Sequence, residues 1–224
     1  MRDRVESVSA LAGIVAVLLW LAGTALAGGG HVALPGGIPE EGADDVLAHF
    51  QANADAAVSG GWLFMLGSLA FLWFLGMLRT RLLAAEAGHG TFSSIAWAGG
   101  VATGIFAVGM PAGGVVAALG VDHLGASEAA ALNAVEAVFF VGAELSAIVL
   151  LAAGAVVALR TEALPRWWAA ASIVLAAWLV IGPIGWVGVL VGIPAWTVVT
   201  SLVLVRTRTL EPAAGPTRVA VGEL

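Results

Sequence analysis

Residues 167–205 carry no charged side chain, and four other stretches of the chain are nearly as apolar. Runs of that kind leave few folds open. In lipid every backbone N–H and C=O has to be satisfied inside its own segment, so an apolar run of about 20 residues reads as a spanning helix. Residues 167–205 are long enough for two such helices, joined by a tight turn around Gly182, Pro183 and Trp186. Composition generalises the point: 60% of the 224 residues are hydrophobic, 11% are charged, and the mean hydropathy is +1.00. A soluble domain of this length could not bury so much apolar surface.

The expected fold is therefore all-α, a polytopic membrane protein with a six-transmembrane-helix bundle as its one domain over residues 1–208. Spans are expected at 8–27, 62–79, 93–119, 132–159, 167–182 and 186–205. The first run also fits a cleavable signal sequence, with Arg2 and Arg4 ahead of it and Ala25, Leu26 and Ala27 at its end. Its full spanning length favours retention. Residues 209–224 form a polar tail expected to be disordered and cytoplasmic.

One segment has a different periodicity. Over residues 43–58, Val46, Leu47, Phe50, Ala54, Ala57 and Val58 share an arc of roughly 120°, the width of an amphipathic face. This predicts an external helix lying on the membrane or on its neighbours, cut off from the next span by Gly60 and Gly61. Local signals refine the rest. Pro111 should kink the third span, Pro194 and Gly192 should bend the last, and Ser127 is placed to cap the fourth. Pro165 should open the fifth helix at Arg166. The pairs Gly100/Gly104 and Gly109/Gly113 have the spacing that lets helices approach closely. Trp62 and Trp186 suit an outer aromatic belt and Trp97, Trp167 and Trp168 an inner one, leaving Trp73, Trp178 and Trp196 to fill the core.

The charges orient the bundle. All nine basic residues are arginines: Arg2, Arg4, Arg79, Arg81, Arg160, Arg166, Arg206, Arg208 and Arg218. With the N-terminus inside, every one falls on the cytoplasmic side, as the positive-inside rule requires. The expected location is a bacterial cytoplasmic membrane, with both termini cytoplasmic.

The segments FLWFLGMLR (71–79), AAEAGHGTFS (84–93) and ALRTEALPRWW (158–168) resemble an uncharacterised family of small bacterial multi-pass integral membrane proteins. The resemblance implies the same multi-pass fold. It brings no functional residue, because those segments are mostly membrane-exit signals.

Several functions are excluded by residue type. No cysteine means no disulfide and no thiolate metal centre. No lysine means no retinal Schiff base, and the four histidines lie outside the expected spans, so they cannot hold a haem between helices. No basic cluster suits nucleic acid. The chain is thus expected to be non-enzymatic and free of cofactors. Its partner is the lipid bilayer, and it is expected to act by packing its helices against a protein partner or against itself.

Two acids remain unexplained, Glu136 and Glu144 on the fourth span. Asn133, Glu136, Phe140 and Glu144 fall within roughly 80° of the helix surface, forming an intramembrane polar stripe. Glu136 is expected near the outer interface and solvated. Glu144 is expected inside the hydrocarbon, where a charge costs on the order of 3 kcal/mol on insertion scales. Ser68, Thr103, Ser172, Thr197, Thr200 or an indole N–H are its expected partners. One alternative function is a small proton- or cation-coupled transporter using Glu144. A second is outward-facing metal or ligand binding by the histidine and aspartate loops, with His49, Asp45, His123 and Asp122 as weak candidates and His31 beside them.

Overall fold

A computed structural model describes residue 9 and residues 11–27, 42–86 and 90–209. Among the described residues every regular element is helical. The helices are α1 (Ala12–Leu26), α2 (Ala43–Ala85), α3 (Thr91–Gly109), α4 (Ala112–Leu119), α5 (Ala126–Thr161), α6 (Arg166–Val180), α7 (Gly182–Val187) and α8 (Ile193–Thr209), with a π-helical segment, Gly188–Gly192, joining α7 to α8. Four helical stretches are long and apolar enough to cross a membrane: Ala43–Ala85, Thr91–Leu119, Ala126–Thr161 and Ile184–Arg206. Two shorter apolar helices, α1 and α6, accompany them.

Glycines decide where the helices touch. The helix does not stop at Gly60 and Gly61, as their composition predicts; α2 runs through them for 43 residues. A Cβ on Gly60 would lie 2.5 Å from the Gly23 carbonyl oxygen and 2.7 Å from the Ala27 nitrogen, and one on Gly23 would lie 2.6 Å from the Gly60 oxygen. These glycines bring the backbones of α1 and α2 together, and the helix ladder satisfies their own polar groups. The irregularity falls instead at Asn53 (φ −130°, ψ 22°), whose amide donates to the His49 carbonyl. The apolar arc of residues 43–58 does find a neighbour: Val46, Phe50 and Ala57 are buried against Ala117, Ala118 and Ala129 of α4 and α5.

The Thr91–Leu119 stretch breaks at Met110 and Pro111 into α3 and α4, as proline demands. It approaches the backbone of α5 at Gly99, where a Cβ would sit 2.7 Å from the Leu150 nitrogen, and at Gly113, where one would fall against the Leu132 carbonyl oxygen. Gly100 and Gly104 face leucine side chains instead. In the last span the disturbance is a π segment just before Pro194, with the Ile193 N–H reaching back to the Gly188 carbonyl. A proline has no N–H to continue the α ladder, and a wider turn absorbs the mismatch. The N-cap of α5 is Gly125, not Ser127, whose hydroxyl instead donates to the Glu128 carboxylate. Helix α6 does start at Arg166, after Pro165.

The main core joins α1, α2, α5, α6 and α8 around Phe71, Phe74, Leu150, Leu151, Trp168 and Trp196. Three indole N–H groups clasp helices together: Trp20 donates to Ser68 at 3.0 Å, Trp168 to Thr200 at 2.8 Å and Trp196 to Ser172 at 2.9 Å. Each hydroxyl in turn donates to the carbonyl four residues back in its own helix, so both partners are satisfied. Trp168 is consequently core, not belt, while Trp73 is 66% exposed and leaves the core to Trp196. At the arginine end, Arg79 stacks over Trp97 and Arg160 over Phe92. Glu86 accepts from the Phe92 and Ser93 N–H groups and the Ser93 hydroxyl, closing the first turn of α3.

Candidate functional site

Most of the polar stripe of α5 faces inward. Asn133, Phe140 and Glu144 are buried, and Ala147, Leu151 and Gly154 continue the same face. The tertiary structure then separates its members into two environments.

Asn133, Glu136 and Phe140 line a cavity of about 100 Å³ between α1, α2, the α3–α4 break and α5. Gly23, Gly60 and Gly61 form part of its wall, so the close approach of α1 and α2 also shapes it. Phe50, Phe64 and Phe140 add aromatic surface, and His49 contributes an imidazole. Glu136 is only half-buried, but it is not the solvated surface acid expected from the sequence. Its Oε1 accepts the Gly114 N–H at 3.0 Å. Gly114 lies in the first turn of α4, where the break at Pro111 leaves N–H groups without helical partners, and the carboxylate satisfies one of them. One turn earlier on α5, Asn133 is 3% exposed and lines the same cavity.

Glu144 lies outside this cavity. It is 8% exposed, and its Oε1 is buried without a hydrogen-bond partner. The oxygen sits against Gly185 of α7, at a spot that a side chain there would occupy. None of its expected partners reaches it. Ser68, Ser172 and Thr200 hold the tryptophan clasps. Thr103 donates to Gly99 and Ser146 is beside it, while Thr197 bonds back to Ile193. The Trp178 indole goes to the Ile184 carbonyl. In each case a hydroxyl or indole is drawn to a nearer acceptor.

The external candidates do not converge. Asp45 accepts the Gly42 N–H and so caps the start of α2, Asp122 and His123 sit in an exposed turn, and His49 turns to the cavity. Among the described residues no three histidine, aspartate or glutamate side chains could hold a metal ion together. His31 and the tail from 210 onward lie outside the described residues. The signal missed in the sequence is Gly114 beyond a helix-breaking proline, which is where Glu136 finds its donor.

Among the described residues every regular element is helical, and four of the stretches are long and apolar enough to cross a membrane, the character of an α-helical membrane protein. Compared with known proteins, it matches no family model, no curated protein and no solved structure.

Proposed function

We propose that this chain is a six-span integral protein of a bacterial cytoplasmic membrane, with both termini inside, that works by binding a small ligand in the α1–α2–α5 cavity and performs no chemistry on it. The arginine distribution supports the topology. The two 15-residue helices α1 and α6 rise about 22 Å each, so in this reading flanking residues complete their passage through the ~30 Å hydrocarbon core. Leu18, Trp73, Leu119 and Val138, all strongly exposed, then meet lipid. The first turns of α2, ahead of Asn53, stand on the outer side and roof the bundle.

The observation that carries the binding reading is Asn133: an amide side chain on a residue only 3% exposed, lining a cavity beside a carboxylate. The absence of native cysteine makes a direct test clean. Asn133→Cys should react with a small thiol reagent added from outside the cell, and Ala147→Cys, buried in the core, should not. Equal protection of both would sink the reading. Single cysteines at Asp122 and Glu162 should label from opposite sides of the membrane, and labelling from one side would overturn the topology.

A second reading, proton- or cation-coupled transport using Glu144, draws on its unpartnered Oε1. It requires Glu144 to react with a hydrophobic carbodiimide in a pH-dependent way, and a Glu144 that stays inert between pH 5 and pH 8 would rule it out.

A further inference from the structure

The cavity's chemistry narrows what it can hold. Its polar side chains are those of Glu136, Asn133, His49 and Thr24, on walls that are otherwise largely apolar or aromatic. Glu136 spends Oε1 on the Gly114 N–H, and no described residue donates to its second oxygen. No arginine of its own helix can neutralise it, since Arg160 lies about 36 Å further along α5. The partner that this acid lacks is a cation.

The other walls suit a cation too. Phe50, Phe64 and Phe140 lie in its wall, and the electron-rich face of an aromatic ring attracts an ammonium group. Exposed acids surround this end of the bundle: Asp44, Asp45 and Asp55 on α2, Asp122 in the α4–α5 turn and Glu128 on α5. A field of one sign raises the local concentration of oppositely charged ligands. An inorganic cation fits poorly, because calcium alone takes about 6–8 oxygen ligands and this cavity supplies far fewer. The volume of about 100 Å³ is somewhat below that of a ~150 Å³ cavity known to admit benzene, so a compact head group enters.

We propose that the cavity binds a small organic cation, an amine or quaternary ammonium, with Glu136 as its counter-charge, the phenylalanines around its carbon groups and, for an amine, the Asn133 carboxamide oxygen accepting from its N–H. This assignment rests on the binding reading above. The test uses the purified full-length protein in detergent, with thermal unfolding and titration calorimetry. The probes are butylammonium and tetramethylammonium chloride, against 1-butanol, sodium butyrate and sodium chloride at matched ionic strength. Both ammonium ions should bind saturably and raise the unfolding temperature, and Glu136→Gln should weaken them about tenfold or more. If Glu136→Gln does not fold, Phe64→Leu keeps the charge and should weaken tetramethylammonium selectively. Butanol binding as tightly as butylammonium would overturn the cation assignment and leave the binding reading intact. If no probe binds, both fall.

Discussion

Oε1 of Glu144 rests against Gly185 with no hydrogen-bond donor, so the most unusual acid of α5 is held by shape and not by a polar partner. A Cβ at position 185 would fall on that oxygen and also lie 2.9 Å from the Leu179 carbonyl. Gly185→Ala should therefore lower the unfolding temperature in detergent. Combined with Glu144→Ala, the loss should be smaller than the sum of the two single effects, with a coupling of about 0.5–3 kcal/mol. Strict additivity would show that the contact carries no energy.

The same orphaned oxygen predicts a gain. Replacing a buried, unpartnered polar group by an apolar one of similar size is close to neutral or stabilising. Glu144→Met should leave the unfolding temperature unchanged or raise it, measured by the same melt. A marked fall would mean that Glu144 contributes polar binding energy that the packing does not reveal.

Trp168 and Trp196 tie α6 to α8 reciprocally, each donating to a hydroxyl on the other helix, with ring centroids 5.6 Å apart. Interhelical hydrogen bonds of this kind are worth about 0.6–2 kcal/mol in membrane proteins. Thr200→Val and Ser172→Ala should each cost at least that much, because each leaves a buried indole N–H unpaired, Trp168 in the first and Trp196 in the second. Denaturant unfolding of the singles and the double reads the coupling directly.

Gly60 and Gly76 lie on one helix but in opposite settings. A Cβ at Gly60 meets the backbone of α1, whereas one at Gly76 meets nothing within 4 Å. Gly60→Ala should destabilise the protein and close part of the cavity wall. Gly76→Ala should be neutral or slightly stabilising, because alanine is the better helix former by about 1 kcal/mol. Similar effects at both positions would contradict the close approach of α1 and α2.

Glu86, just past the end of α2, makes the stability of the fold depend on pH. Hydrogen bonds from Ser93 and Phe92 hold its carboxyl below the usual range, with the Ser93 hydroxyl contributing most and Arg160 adding to it, against a smaller opposing effect of burial. A depressed carboxyl stabilises the fold above its unfolded pKa, about 4.3 for glutamate, and the stabilisation is lost as pH falls through the folded value. Glu86→Gln should flatten the acid limb of the stability curve while changing stability at pH 7 by far less than a core truncation would. Identical acid limbs in the two proteins would remove Glu86 as the source.

Periodicity made the α5 stripe legible, since Asn133, Phe140 and Glu144 do share one buried face. Pro165 and Pro111 marked a helix start and a helix break correctly, because proline acts through its own backbone. Gly60 and Gly61 misled, because a glycine that breaks a helix and one that admits a neighbouring backbone have the same side chain. Trp73 and Trp168 exchanged places for a similar reason: local hydropathy does not say which face of a helix another helix covers.

What the sequence determined by itself was the material of the protein: apolar runs that must close their own hydrogen bonds as helices, arginines gathered at the ends of those runs, and two acids on one span. Only the tertiary structure divided the stripe, setting Asn133 and Glu136 in a cavity and Glu144 against Gly185. The physical reason is that helix formation is a property of neighbours along the chain. The surroundings of a buried carboxyl depend on which backbones can approach it, and here glycines distant in sequence decide that.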